Sequence, residues 1–193
     1  MTKRALLIWF HVLTSVGWMS MALALATLLI WGLTHEDPSA FRMAGVIDHE
    51  LLQHLGTASA FSGFMLSALT PWGYFRYWWV LTKSVITLAQ LNLGIFVLGQ
   101  NLQANPGWAM VVASLLMVSA FAFQAWLSIA KPWKFTPWAS RQKPPAPPGW
   151  TYLAAVAVPV ADYALWKAPL LSLLIVLGYP IVRKVRAARI ATA

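Results

Sequence analysis

The chain has 193 residues, of which 60% are hydrophobic and 10% are charged, and its formal net charge is +9. An ordinary soluble domain has about a quarter of its residues charged, so this composition excludes that class and indicates an integral membrane protein. Because the chain contains no cysteine, disulfides, thiolate ligands, iron–sulfur clusters and cysteine nucleophiles are excluded as well.

Four apolar stretches, each about 20 residues long or longer, predict transmembrane helices. They cover residues 5–32, 48–70, 77–102 and 108–130. The first begins directly after Lys3 and Arg4 and contains no small-residue cleavage site, so we expect it to be a retained span and not a removed signal peptide.

The basic residues lie in short clusters beside these stretches, which predicts the orientation of the chain. The connection at residues 34–47 is acidic, whereas the connection at 71–76 and the segment after residue 130 are basic. Basic connections stay in the cytoplasm and contact anionic lipid. We therefore expect a cytoplasmic N-terminus in a bacterial inner (plasma) membrane and the lipid bilayer as the partner, and we expect no nucleic-acid binding.

The C-terminal third of the chain has a different composition. Residues 131–149 contain six prolines among basic residues and predict a cytoplasmic linker. Residues 150–193 form an apolar segment, interrupted by Asp162 and Lys167, and a basic tail. A single crossing would place that tail outside, so an interfacial or re-entrant segment is favoured and a fifth transmembrane segment stays open. The predicted fold is all-α: a polytopic four-helix bundle over residues 1–130, followed by this linker and segment.

Two ionisable side chains lie deep within the predicted spans, namely His11 and Lys83. At 1.5 Å rise per residue, each lies about 10 Å beyond a basic flank, Arg4 and Arg76 respectively, so both belong to one layer. Gln90 follows Lys83 on one face of its helix, and Gln124 reaches the same layer. One interpretation is that Lys83 extends its amine to the interface while His11 hydrogen-bonds a neighbouring helix. The other is that the layer lines a cofactor pocket, since intramembrane ionisable groups mark functional sites.

A second polar cluster occupies the opposite side of the predicted membrane. It contains three of the four histidines (His35, His49, His54) and four of the five acids (Glu36, Asp37, Asp48, Glu50). Nitrogen and oxygen ligands at this density suit copper(II), zinc or nickel. The alternative is that Asp48 and Glu50 cap the N-terminus of the second span and that the remaining residues are solvated loop.

The second span carries small residues, Ser59, Gly63 and Ser67, at helical spacing. Such residues let helix backbones approach closely where no hydrophobic force drives association. We expect close packing on that face.

Two stretches resemble small bacterial membrane proteins associated with haem. The opening RALLIWFHVLTSVGWMSMALAL, with its histidine at position 11, is similar to the first helix of HemJ-type protoporphyrinogen oxidases and of the copper-resistance protein D family. The stretch GFMLSALTPWGYFRYWWVLTKSVITL, with Lys83, resembles a helix connection of an allied, largely uncharacterised four-helix group. The resemblance implies a four-helix bundle with His11 as an axial haem ligand and Lys83 near the haem. Residues 19–33 lack the arginine expected of the oxidase, which argues against porphyrinogen oxidation.

Three functions follow as hypotheses. The first is a haem b-binding membrane protein with a redox or haem-handling role, in which His11 holds the iron and Lys83 pairs with a propionate. The second is a copper or other divalent-metal handling protein that uses His35, His49 and His54. The third is a non-catalytic accessory subunit of a respiratory or photosynthetic complex, or a homo-oligomer. No hydrolase set, phosphate loop or dinucleotide fingerprint is present, and whether the protein is an enzyme stays open.

Overall fold

The structure, a computed structural model, describes residues 2–139 and 146–191. Within these ranges the chain is helical apart from its connections and one isolated β-bridge between Tyr77 and Phe135. The six prolines of the predicted linker fall partly at positions 140–145, which lie outside the described residues. The α-helices are α1 (Lys3–Thr34), α2 (Pro38–Ile47), α3 (Gln53–Leu69), α4 (Trp78–Asn92), α5 (Gly99–Ala104), α6 (Trp108–Ala130), α7 (Trp150–Trp166) and α8 (Leu170–Ala191).

Three of the described helical stretches are long and apolar enough to cross a membrane. They are Lys3–Thr34, Trp78–Leu102 and Trp108–Ala130, and they agree with three of the four predicted spans. The second of them joins α4 to α5 through a π-helical turn at Leu93–Leu98. The chain is therefore an all-helical protein with membrane-type helices.

The predicted span at residues 48–70 belongs to a longer helical stretch and is not among these three. Its helix starts ten residues earlier, where the Asp37 side chain caps α2 by accepting from the Ser39 N–H at 2.9 Å and Pro38 takes the first position. A π-helical turn at Asp48–Leu52 then leads into α3. The interpretation of Asp48 and Glu50 as N-terminal caps is wrong, because both residues lie inside this continuous helix.

Helix α1 is the centre of the packing, with α2, α3, α6 and α7 against it. Its 32 residues start at a Thr2 cap, whose hydroxyl accepts from the Ala5 N–H at 3.2 Å. The main buried cluster combines Trp18, Leu25 and Leu29 of α1 with residues of α2 and α6, including Phe121. The exposed side of α1 is also apolar, as a lipid-facing surface requires.

Helices α7 and α8 form a hairpin that lies along α3. At one end the Tyr152 hydroxyl donates to the Leu69 carbonyl at 3.0 Å, and at the other Lys167 pairs with Glu50 at 3.2 Å. The chain then turns, and α8 returns along α7 and α3. The buried Asp162 carboxylate fixes this turn by accepting from the backbone N–H groups of Leu171 and Ser172. The C-terminal segment thus consists of two helices joined by a turn.

Candidate functional site

The His11 imidazole of α1 is held against α3. Its Nδ1 lies 3.1 Å from the Ser59 carbonyl oxygen and 3.0 Å from the Ser62 hydroxyl. The ring sits over Gly63, where a Cβ would come within 2.9 Å of His11 Cε1. The small residues of the predicted second span are therefore what gives the imidazole its place.

The hydrogen bonds around the imidazole select one tautomer. The Ser62 hydroxyl already donates to the Ser59 carbonyl at 3.0 Å, so its oxygen is free to accept. Since both neighbours of Nδ1 are acceptors, Nδ1 carries the proton and Nε2 keeps its lone pair. Histidines that bind metals commonly show this arrangement, in which the second nitrogen donates to a backbone carbonyl.

Lys83 of α4 is bound to α6 and is not extended into solvent. Its ammonium donates to the Ser128 hydroxyl, which in turn donates to the Gln124 carbonyl at 2.9 Å. The amine lies within range of an electrostatic interaction with His11. In the described part of the chain the only ion pair joins Lys167 to Glu50, so the Lys83 charge has no carboxylate beside it.

The two predicted glutamines join the same seam between α4 and α6. Gln124 accepts from the Thr87 hydroxyl at 2.9 Å and donates to the Gln90 side-chain oxygen. Gln90 donates in turn to the Met117 carbonyl at 3.0 Å. The structure thus brings Lys83, Gln90 and Gln124 into one polar seam between α4 and α6.

A small cavity lies farther along the interior, away from this layer. Its volume is about 20 Å³, enough for one water molecule. Trp18, Asp48 and Ser114 are among its lining residues, and His11 and Lys83 are not. This cavity is far smaller than a site for a drug-sized ligand, since such pockets measure about 300–1,000 Å³.

The three histidines of the second cluster have different surroundings and do not form one ligand set. His35 stacks on Trp31 with ring centroids 3.8 Å apart, His54 meets the edge of Tyr163 at 4.6 Å, and His49 is exposed. The Glu50 carboxylate is paired with Lys167. Among the described residues, no group of three or more histidine, aspartate or glutamate side chains is arranged to hold a metal ion.

Several residues of the site were not identified from the sequence. Ser59 and Ser62 hold the imidazole, and Ser128 holds the amine. Ser128 follows Gln124 by one helical turn, so its position on the same face was a usable signal. No local pattern pairs His11 with Ser62, because these residues are 51 positions apart.

Comparisons with known proteins found no matching family model, no similar curated protein and no similar solved structure. The resemblance to haem-associated membrane proteins therefore stays a prediction from the quoted stretches. The functional assignment depends on the side chains of the site itself.

Proposed function

We propose that this chain is an integral membrane protein that binds haem b in a redox or haem-handling role, with His11 as the axial ligand. The observation that carries the proposal is the anchored imidazole. Its Nδ1 donates to the Ser59 carbonyl, which leaves the Nε2 lone pair for iron. Burying a polar imidazole in a membrane interior is costly, and binding of a ligand accounts for its position there.

Lys83 supplies the second contact of the proposed site. Its ammonium has a hydroxyl partner, Ser128, and no neighbouring carboxylate. A haem propionate or another carboxylate of the ligand would neutralise this charge in a region of low dielectric. Gln90 and Gln124 extend the polar lining beside it and belong to the proposed cofactor-binding set.

The proposal requires α4 to shift when the ligand binds, since the described cavity lies elsewhere. The stretch Trp78–Leu102 suits such a shift because it is the least buried of the three candidate spans. Helix α4 packs on α3 and α6, and α1 packs on the same two helices. These contacts support a bundle of α1, α3, α4–α5 and α6 in which α1 and α4 face each other across the interior.

Orientation is part of the proposal. The first turn of α1, the connection after α3 and the segment after α6 lie together, because Arg4 and Lys131 both approach the Trp72 ring. This shared end is basic, so it belongs in the cytoplasm of a bacterial inner membrane. His11 and Lys83 then lie in the cytoplasmic half of the bilayer.

The absorption spectrum of the purified protein tests the proposal. We expect a Soret band in the wild-type chain, or after haem is added, and its loss in His11→Ala. Exposed His49→Ala is the matched control and should keep the band. Lys83→Met should bind haem roughly tenfold more weakly, since a hydrogen bond to a charged group is lost. A wild-type chain that stays colourless with haem added contradicts the proposal.

A second candidate is an accessory subunit or homo-oligomer, which the exposure of the stretch Trp78–Leu102 favours. Val85, Leu88 and Phe96 are all exposed on this stretch. Copurification in mild detergent, followed by mass measurement of the intact complex, decides between the two. A monomer without haem would contradict both candidates. The copper alternative gains no comparable support, because the outer histidines do not form one ligand set.

A further inference from the structure

The basic end of the molecule is built from three separate parts of the chain. Trp72, in the connection after α3, packs edge-on against Trp79 with ring centroids 5.5 Å apart. The segment after α6 joins the same connection, because the buried Thr136 donates its backbone N–H to the Arg76 carbonyl at 3.0 Å. Lys3, in the first turn of α1, lies beside Gly149. These contacts give the exposed cations of this end fixed neighbours.

Two cations share one indole at this end. The Arg4 guanidinium lies 5.6 Å from the centre of the Trp72 ring, and the Lys131 ammonium lies 5.6 Å from the same centre. Both side chains are exposed and come from parts of the chain 127 positions apart. Two like charges held on one ring repel each other, so an anion between or beside them is stabilised.

None of the acidic side chains of the chain lies at this end. Its five acids are Glu36, Asp37, Asp48, Glu50 and Asp162. The first four lie in or next to the stretch from α2 to the π-helical turn, and Glu50 is paired with Lys167 at the opposite end of the hairpin. Asp162 is bonded to the first turn of α8, also at that end. The basic end is therefore complementary to an external anion.

We propose that Arg4, Trp72 and Lys131 form a binding site for the headgroup of an anionic phospholipid. The guanidinium binds phosphate oxygens through paired N–H donors, and the ammonium acts as a compact second charge. An indole prefers the headgroup level of the bilayer, where a phospholipid phosphate lies. The apolar outer side of α1 beside the site, including Ile8 and Trp9, is exposed and suits the acyl chains. This site is independent of the proposed haem layer.

Native mass spectrometry of the full-length protein tests the site. The protein is purified from vesicles containing equal amounts of phosphatidylglycerol and phosphatidylcholine, and bound lipids are counted. We expect wild type to retain phosphatidylglycerol preferentially and Arg4→Gln/Lys131→Gln to lose that preference on the order of tenfold, since each cation near anionic lipid contributes. Arg42→Gln removes one positive charge from the opposite end and should keep the preference.

Two further arms keep the outcome decisive. Arg4→Lys/Lys131→Arg keeps both charges and should retain phosphatidylglycerol. Loss of the lipid in this variant as well would mean that altered structure, and not the missing charge, explains the loss in Arg4→Gln/Lys131→Gln. Trp72→Leu keeps both charges but removes the shared ring, and should weaken retention by less than the double neutral variant. Equal lipid ratios in wild type and Arg4→Gln/Lys131→Gln, or an equal loss in Arg42→Gln, would overturn the proposal.

Discussion

The contact of α1 with α3 and the contact of α4 with α6 solve the same packing problem in different ways. The first is close and combines glycine packing with the hydrogen bonds of His11: a Cβ at Gly56 would lie 2.8 Å from the buried Trp18 ring. The second is joined by side chains that bond each other, from Lys83 to Gln90. Within a bilayer both devices hold helices together, since apolar side chains gain little by leaving lipid.

The difference between these two contacts predicts different tolerances. A close contact depends on the shape of a single residue and leaves no freedom for movement. A hydrogen-bonded contact can exchange partners, including those of a bound ligand. This is why we place the movable element of the proposed haem site at α4 and its fixed ligand on α1.

The largest effect is expected from Gly56→Ala. The new Cβ would clash with the Trp18 ring, 2.8 Å away. The ring cannot move aside because it also packs edge-on against Phe121, with ring centroids 4.5 Å apart. Overpacking of this kind should lower the free energy of unfolding by about 1–3 kcal/mol. Thermal unfolding in detergent, followed by far-UV circular dichroism, measures the change.

Gly94→Ala is the matched variant beside the other contact, in the π-helical turn that follows α4. Its Cβ would lie 3.5 Å from the flexible end of Met117, an ordinary van der Waals distance. We expect unchanged or slightly higher stability, because alanine favours helix over glycine by about 1 kcal/mol. Equal destabilisation by both alanine variants would remove the distinction between the two contacts.

A smaller effect is expected from Gln124→Leu in the polar seam. This change leaves the Thr87 hydroxyl and the Gln90 side-chain oxygen without their partner and should cost about 1–2 kcal/mol. In the Gln124→Leu background, Gln90→Leu should lower the free energy of unfolding by less than it does in the wild-type chain. The expected coupling energy between the two changes is about 0.5–1.5 kcal/mol. Exposed Gln100→Leu should be neutral. Strictly additive single and double variants in the same unfolding measurement would show that the seam does not act as a unit.

The sequence predicted the helical class and three candidate spans because apolar composition and length decide both. It also predicts that Lys83 and Gln90 share a face of their helix, since helical spacing fixes which side chains do so, and that Gln124 reaches the same layer. It missed the start of the helix before α3, although Asp37 followed by Pro38 is a recognisable start signal. The serines that hold His11 could not be assigned, because only tertiary packing brings residues 11 and 62 together.

The sequence leaves the course of residues 150–182 open for a physical reason. Asp162 interrupts an apolar run, and a lone carboxylate there argues against a spanning helix. The structure shows that its two oxygens accept from the first N–H groups of α8, at 3.0 Å and 2.8 Å. A helix start provides donors that the sequence pattern alone did not reveal.

The smallest predicted effect lies outside both contacts, at the cap of α2. Hydrogen bonds from the Ser39 hydroxyl and backbone N–H hold the pKa of the Asp37 carboxyl below its usual value of 3.8. As the pH falls, the Asp37 carboxyl is therefore protonated in the unfolded chain before it is protonated in the folded chain. The cap thus stabilises α2 above pH 3.8, and this stabilisation is lost as the pH falls through the lower pKa of the folded state. Hydrogen exchange at the α2 amides should show less protection at acidic pH, while Asp37→Asn, which does not titrate, should show no such dependence. The α4–α6 seam contains no carboxylate among its bonded side chains, so its backbone amides should keep their protection over the same pH range. Equal loss of protection in the seam would mean that acid acts on the whole fold and not on this cap.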